Sequence, residues 1–214
     1  MEPEYIPPDI IAYCIAMTTP LPRTADSIFA CTKAEQEDHH MLIGPIVGGL
    51  LRLLVTILRP KKVLEIGTYT GFSAAMMASA MPPGGKITTV EVDEHLYVNA
   101  QKNLSSFISH GLIEVVHAEG VEWLKNQEFK QFDLIFLDGR KQDYEGRYEH
   151  ICSSVAQGGI LVIDNSLAGG NVTRPRKEWE CLTHEFNSYL RSGGDFLTVL
   201  LPVRDGLFLA LNSK

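Results

Sequence analysis

The sequence contains few cysteines, no long uninterrupted apolar run and no excess of positive charge. Its four cysteines (Cys14, Cys31, Cys152 and Cys181) form no CxxC pair and have no histidine at zinc-like spacing, so we expect free thiols in a reducing compartment. No apolar run reaches about 18 residues and no basic, apolar leader opens the chain, which predicts a soluble, cytoplasmic protein with no membrane partner. The net charge of −7 disfavours DNA binding and nonspecific RNA binding, since such proteins usually carry a basic face.

The sequence does contain an alternation of short apolar strands and helices. With 214 residues, of which 45% are hydrophobic, the chain suits one α/β domain. Short apolar runs predict parallel strands covered by helices on both faces, and the turn at 202–206 is too tight for a crossover, so the last strand is predicted to be antiparallel. The predicted strands are 62–66, 86–91, 112–116, 133–138, 160–164, 196–201 and 206–211. The predicted helices are one that ends near Leu58, 72–80, 93–108, one from about Val121, 144–155 and 177–191.

The first 40 residues form a separate compositional zone. Helices are predicted over 5–17 and 26–37, the second with Asp26 or Ser27 as its N-cap. We divide the chain into an N-terminal helical segment, 1–40, which acts as a lid or a dimer contact, and a main domain, 41–214. The alternative is that the N-terminal segment only packs on the domain.

A glycine turn between the first strand and the next helix predicts a small-molecule site. Gly67 and Gly71 let the backbone approach a ligand, and Glu91, which ends the second strand, can accept from both hydroxyls of a ribose. The spacing Glu65-x-Gly67-x-x-x-Gly71 departs from the Gly-x-Gly-x-x-Gly of nicotinamide and flavin folds, and it resembles the first motif of S-adenosylmethionine-dependent methyltransferases. The alternatives are glycines that only shape a tight turn and a solvated carboxylate at Glu91.

Acidic and amide side chains at the ends of the fourth and fifth strands predict a metal site. Asp138 follows one strand and Asp164 and Asn165 follow the next, so these side chains belong to one edge of the sheet. Their oxygens suit Mg²⁺ or Ca²⁺ rather than zinc, and they leave positions open for two substrate hydroxyls. Lys141 is a candidate base, because burial and a neighbouring cation lower the pKa of a lysine. The alternatives are strand-end caps or ion pairs for the acids and a solvated lysine.

Together these motifs resemble the cation-dependent O-methyltransferase family, which includes catechol and caffeoyl-CoA O-methyltransferases. The resemblance covers about residues 38–212. It implies a Rossmann-like class I methyltransferase fold with a mostly parallel seven-stranded sheet, S-adenosylmethionine as cofactor, and Mg²⁺ or another divalent cation such as Ca²⁺ or Mn²⁺. It also implies a small aromatic acceptor with two adjacent hydroxyls, and a homodimer. The matching segments are 41–48, 64–73, 90–91, 136–144, 158–165 and 201–206.

The resemblance also implies roles for individual residues. Lys141 is the catalytic base, assisted by Asp138, and the metal ligands are Asp138, Asp164 and Asn165. The implied cofactor-binding residues are Met41, Ile43, Glu65, Gly67, Tyr69, Ser73, Glu91, Gly120 and Asp138.

Two departures from the family pattern concern the acceptor. Arg140 replaces an acidic residue of many members, which reverses a charge near the substrate and suits an anionic acceptor. Ala168 replaces a tryptophan, and its small side chain is expected to widen the mouth of the site. The alternative functions are methylation of a hydroxyuridine in tRNA, which the acidic composition disfavours, a protein that binds S-adenosylmethionine without turnover, and a nucleotide oxidoreductase, which the glycine spacing disfavours.

Overall fold

The computed structural model of the chain describes residues 6–127 and 131–214. These residues divide into two compact units, 6–118 and 119–214. Both units place parallel strands among helices, and the last strand of the chain is antiparallel to its neighbours. The predicted α/β fold class, mostly parallel with an antiparallel last strand, is therefore confirmed. The predicted division at residue 40 remains a prediction.

The first unit contains three parallel strands in the spatial order β3-β2-β1. The register pairs Val63 with Ile87 and Ile87 with Ile113, all of which are buried. α3 packs on α4 and ends where Arg59 adopts a left-handed conformation ahead of Pro60. The elements are α1 (Pro8–Met17), α2 (Arg23–Glu35), α3 (Gly44–Leu58), β1 (Lys62–Ile66), α4 (Phe72–Ala78), β2 (Lys86–Glu91), α5 (Glu94–Asn103), α6 (Ser105–Ser109) and β3 (Ile113–His117), with a 3-10 turn at His39–Met41.

The second unit contains four strands in the order β4-β5-β7-β6. β4 and β5 are parallel, whereas β7 is antiparallel to both β5 and β6, as the tight turn before it predicts. The side chains of Leu134, Phe136 and Leu161 are completely buried. The elements are α7 (Gly120–Lys125), β4 (Phe132–Leu137), α8 (Tyr148–Ser153), β5 (Val155–Ile163), α9 (Glu178–Ser192), β6 (Phe196–Leu201) and β7 (Leu207–Asn212), with 3-10 turns at Lys141–Tyr144 and Ala168–Thr173.

The segment His39–Leu58 is long and apolar enough to cross a membrane by length and composition. Helices in the core of soluble proteins meet the same criteria. The α3 part of the segment buries Val47, Leu51 and Val55, which face the rest of the unit. The prediction of a protein without a membrane partner stays a prediction.

Several predicted helix bounds are wrong for identifiable reasons. α2 begins at Arg23 with Pro22 as its N-cap, so Asp26 and Ser27 lie inside the helix. The helix predicted over 93–108 is interrupted at Leu104, which separates α5 from α6. The helix predicted over 144–155 starts only at Tyr148, because Gly146 adopts a φ of 66° that a helix excludes. The predicted helix start at residue 5 lies outside the described residues.

Candidate functional site

The turn between β1 and α4 requires glycine at both predicted positions. Gly67 has a φ of 97° and donates its N–H to the carbonyl of Val90 at 3.0 Å. Gly71 has a φ of 91°, and a Cβ there would lie 2.9 Å from the side chain of Leu104. Tyr69 also adopts a positive φ, 52°, which is uncommon for a residue with a side chain. The turn is therefore a strained and closely packed loop, as small-molecule sites often are.

The carboxylate of Glu91 holds this turn in place. It accepts backbone N–H groups from Tyr69 at 2.8 Å, Val92 at 2.9 Å and Asp93 at 3.0 Å. Oε1 takes two of these hydrogen bonds and Oε2 takes one. A carboxylate offers about four acceptor positions, so Oε2 retains a position for a ligand hydroxyl. Glu91 thus organises the turn and can also bind a ribose.

Glu65 lies beneath the turn and is completely buried. Its Oε2 accepts the hydroxyl of Thr89 at 2.6 Å. Its Oε1 has no hydrogen-bond partner among the described residues. Burial raises the pKa of Glu65 to about 7, opposed by the nearby hydroxyls of Ser73 and Thr89 and helped by the charge of Glu91.

A second polar atom near the turn also lacks a partner. The hydroxyl of Tyr69 is buried without a hydrogen bond among the described residues, and burial raises the pKa of this phenol, with a smaller effect from Asp38. Buried polar atoms normally have partners, so the two unsatisfied atoms, on Glu65 and Tyr69, fit a polar ligand at this turn. Ile43 is buried at the start of α3, whereas Met41 is 46% exposed and is not part of the hydrogen-bonded network described above.

In the second unit, the loop after β4 is fixed by Tyr144. This side chain is completely buried, and its hydroxyl oxygen accepts the N–H of Gly139 at 2.8 Å. Burial raises the pKa of Tyr144 far above that of a free phenol. Asp138 directly precedes Gly139, so this hydrogen bond positions the strand end that carries the predicted metal ligand. Arg140 is ion-paired with Asp143, with its Nε 3.2 Å from Oδ2, so its charge is already partly balanced.

Lys141 is buried, with only 7% of its surface exposed. Its Nζ donates to the backbone carbonyl of Asp164 at 2.7 Å. Burial lowers the pKa of Lys141, although the charges of Asp138, Asp164 and Asp205 act in the opposite direction. A surface lysine would show neither feature, so the interpretation of Lys141 as a merely solvated side chain is wrong.

The predicted metal ligands stand at the ends of β4 and β5. Asp164 is buried and its Oδ1 accepts the N–H of Asn165 at 2.8 Å, while Asn165 adopts a φ of 57°. No cluster of three His, Cys, Asp or Glu side chains suited to a metal occurs within 6–127 and 131–214. The predicted set has two carboxylates and one amide, whose hard oxygens fit Mg²⁺ in chemical type. Asp138 and Asp164 both act electrostatically on Lys141, so these three groups are neighbours.

Gly120, the remaining predicted residue, is the buried first residue of α7. The carboxylate of Glu119 caps that helix by accepting the N–H groups of Val121 and Glu122.

Two residues of this region were not selected from the sequence. Asp205 is buried, contributes negative charge to the surroundings of Lys141, and accepts the N–H of Gly169 at 2.7 Å. Asp205 lies in the segment 201–206, which matches the family pattern, so this match could have pointed to Asp205. Thr89 links Glu65 to Thr68 through two hydroxyl contacts, each of 2.6 Å. Nothing in the sequence distinguishes a single threonine inside a strand as part of a site.

Comparison with known proteins places the chain among methyltransferases. The sequence profile of the O-methyltransferase family matches residues 25–213. A caffeoyl-CoA O-methyltransferase of Stellaria longipes is 29% identical over 211 residues, covering 89% of this chain and 85% of that protein. The SAH-bound methyltransferase PaMTH1 of Podospora anserina has a TM-score of 0.84 at 20% identity, covering 96% of this chain and 94% of that chain. The O-methyltransferase TomG of Streptomyces achromogenes, in complex with SAM, has a TM-score of 0.84 at 22% identity and 96% coverage of both chains. The predicted Rossmann-like methyltransferase fold is confirmed.

Proposed function

Because the chain belongs to the O-methyltransferase family, we propose that it methylates one hydroxyl of a small aromatic molecule with two adjacent hydroxyls. The methyl donor is S-adenosylmethionine, and a divalent cation, Mg²⁺ in the first place, is required. The assignment as an S-adenosylmethionine-dependent O-methyltransferase follows from the family. The acceptor, the metal and the residue roles are the proposal.

The turn of the first unit would hold the methyl donor. Gly67 and Gly71 allow the backbone to approach the ligand, and the free position on Glu91 Oε2 suits a ribose hydroxyl. The unsatisfied atoms of Glu65 and Tyr69 suit polar groups of the same molecule. Bound S-adenosylmethionine supplies an electrophilic methyl group on a sulfonium.

The observation that carries the proposal is the burial of Lys141 among acids at the strand ends. Asp138, Asp164 and Asn165 would hold the cation, which lowers the pKa of an acceptor hydroxyl. Lys141 then takes the hydroxyl proton at Nζ. A neutral amine can still donate one N–H to the carbonyl of Asp164 while its lone pair accepts this proton. Burial favours that neutral form, because it lowers the pKa of Lys141.

A cavity in the second unit supports an acceptor that carries an anionic group. This cavity, of about 470 Å³, is lined by Arg174, Arg176 and Lys177, together with Glu180. Glu180 is occupied as a helix cap, since it accepts the N–H groups of Arg176 and Lys177. The arginines are therefore better placed for an anion than Arg140, which is paired with Asp143.

An acceptor screen tests the proposal. The purified protein is incubated with S-adenosylmethionine and catechols that carry neutral, carboxylate or phosphate tails, and with total tRNA, with and without Mg²⁺. Methylated product is detected by mass spectrometry. We expect product from catechols in the presence of Mg²⁺, with preference for an anionic tail. If only tRNA were methylated, the proposed small aromatic acceptor would be wrong. If the same amount of product formed without metal, the proposed requirement for a divalent cation would be wrong.

Two further expectations belong to the proposal. We expect a cytoplasmic location. We also expect a homodimer, and the exposed apolar side chains of Ile10, Tyr13 and Met17 on α1 support this expectation. Light scattering of the purified protein would measure the mass directly. A monomeric mass at micromolar concentration would contradict the dimer.

A further inference from the structure

The turn between β1 and α4 is linked to a residue that lies 38 positions earlier in the chain. Thr32, on the buried face of α2, has its hydroxyl oxygen 2.8 Å from the hydroxyl oxygen of Thr70 in the turn. The hydroxyl of Thr32 also lies 2.8 Å from the carbonyl oxygen of Ile28. A carbonyl can only accept and a hydroxyl has one hydrogen, so both contacts are satisfied when Thr70 donates to Thr32 and Thr32 donates to Ile28. Both threonine hydroxyls are therefore needed for this buried link.

Thr70 is held a second time through its backbone. The side-chain amide of Asn103, the last residue of α5, donates to the carbonyl of Thr70 at 3.0 Å. Two different helices therefore fix the hydroxyl and the carbonyl of this buried residue. The rings of Phe29 on α2 and Phe72 on α4 add an apolar contact beside the turn, with their centroids 5.2 Å apart.

The backbone of the turn requires such support. Thr70 lies between Tyr69 and Gly71, whose φ angles are 52° and 91°. A left-handed conformation is unfavourable for a residue with a side chain, and it persists only where the surrounding contacts impose it. Glu91 holds Tyr69 by accepting its N–H at 2.8 Å, and the contacts from α2 and α5 hold the next residue. A turn that is fixed before the ligand arrives loses less conformational freedom on binding, which favours affinity.

We infer that α2 is a fixed support for this turn and that Thr32 is a positioning residue for cofactor binding, acting through Thr70. A lid that opened in each reaction cycle would have to break the buried contact between these two threonines. α2 therefore stays in place while the cofactor enters and leaves. The inference rests on the proposed function, because it takes S-adenosylmethionine to be the ligand of the turn.

Titration calorimetry with S-adenosylmethionine tests the inference on variants that circular dichroism shows to be folded at the temperature used. Thr32→Val keeps the shape of the side chain and removes the hydroxyl, so it should raise the Kd by about 2–10-fold, the range that corresponds to the net contribution of one hydrogen bond. Thr32→Ser keeps the hydroxyl and should restore an affinity within about twofold of the wild type.

Thr56 provides the matched control. Its hydroxyl donates to the carbonyl of Arg52 at 2.9 Å, which is the same contact with the residue four positions earlier, but it lies on the exposed surface of α3. Thr56→Val should therefore bind S-adenosylmethionine as the wild type does. Thermal unfolding of each variant is measured in parallel, so that a change in stability is separated from a change in affinity.

A double-mutant cycle tests whether Thr32 acts through Thr70. Thr70→Val breaks the same link from the other side, so the double variant should raise the Kd no further than the weaker-binding single variant. Fold-changes that multiply would overturn the inference, and so would wild-type affinity in a folded Thr32→Val, whatever its Tm. Thr70→Val decides the question if Thr32→Val does not fold. Absence of S-adenosylmethionine binding by the wild type would contradict the cofactor assignment of the proposed function and, with it, this inference.

Discussion

Tyr144 provides a sharp prediction about how the loop after β4 is held. Tyr144→Phe removes a hydroxyl oxygen that accepts the N–H of Gly139 at 2.8 Å and leaves the rest of the buried ring in place. A buried N–H that loses its hydrogen-bond partner lowers the free energy of unfolding by about 1–3 kcal/mol. For a chain of this size, such a loss corresponds to a decrease in Tm of roughly 2–12 °C. The same change should weaken metal binding, because Asp138 precedes Gly139.

Tyr148 offers a matched control for this prediction. Its hydroxyl donates to the carbonyl of Leu182 at 3.4 Å, a much weaker contact, and its ring stacks on Phe186. Tyr148→Phe should therefore leave the Tm within about 2 °C of the wild type. Differential scanning calorimetry compares the two variants. Equal effects, or a Tyr144→Phe variant as stable as the wild type, would refute the role given to this hydrogen bond.

The remaining predictions concern the base, the turn and the buried acid. Lys141→Met should lower turnover by about 10²–10⁴ with unchanged cofactor affinity, and it should abolish the rise in wild-type rate as pH increases through the lowered pKa of Lys141. Glu91→Gln should weaken cofactor binding by about 1–3 kcal/mol in calorimetry, because an amide cannot accept all of the N–H groups that Glu91 holds. Gly71→Ala should reduce the free energy of unfolding in urea more than Gly84→Ala, since both have a positive φ but only Gly71 has close neighbours. Glu65→Gln should stabilise the ligand-free protein above pH 7. The pKa of Glu65 is about 7 in the folded protein and 4.5 in the unfolded chain, so the wild-type free energy of unfolding falls by about 3 kcal/mol as the pH rises from 4.5 to 7.

Each of these predictions has a result that would contradict it. Wild-type turnover in Lys141→Met would contradict the role of Lys141 as the base. Unchanged cofactor affinity in Glu91→Gln would contradict the role of Glu91 in cofactor binding. Equal urea sensitivity of the two alanine variants would mean that the packing against Leu104 is unimportant. Identical pH profiles of stability for Glu65→Gln and the wild type would mean that Glu65 has an ordinary pKa in solution.

The strands and their order of appearance could be predicted from sequence because each is a short apolar run bounded by glycine, proline or an acid. The bounds 62–66, 86–91 and 196–201 agree with β1, β2 and β6. Helix ends were harder to predict, because they depend on single backbone angles. The left-handed Gly146 shortens one helix.

The proximity of Lys141 and Asp164 was predictable, because both follow strands whose carboxyl ends meet at one edge of the sheet. The structure places Nζ of Lys141 against the carbonyl of Asp164, and the roles of the two residues stay predictions. The hydrogen bonds that support the site were not predictable, since they join residues distant in sequence or use the backbone. The link between Thr89 and Glu65 and the backbone partners of Glu91 are examples.

The proposed function depends most on a divalent cation held by Asp138, Asp164 and Asn165. Mn²⁺ binding measured by electron paramagnetic resonance tests this cation site without an acceptor. We predict that the wild type binds a single Mn²⁺ that excess Mg²⁺ displaces. Asp164→Ala should weaken binding at least about tenfold, because loss of a residue that only supports a metal ligand already costs about 10–100-fold. Asp195→Ala, which removes an exposed carboxylate paired with Lys214, should bind Mn²⁺ as the wild type does. Equal Mn²⁺ binding by the wild type and Asp164→Ala, or no binding by the wild type, would contradict the proposed cation site.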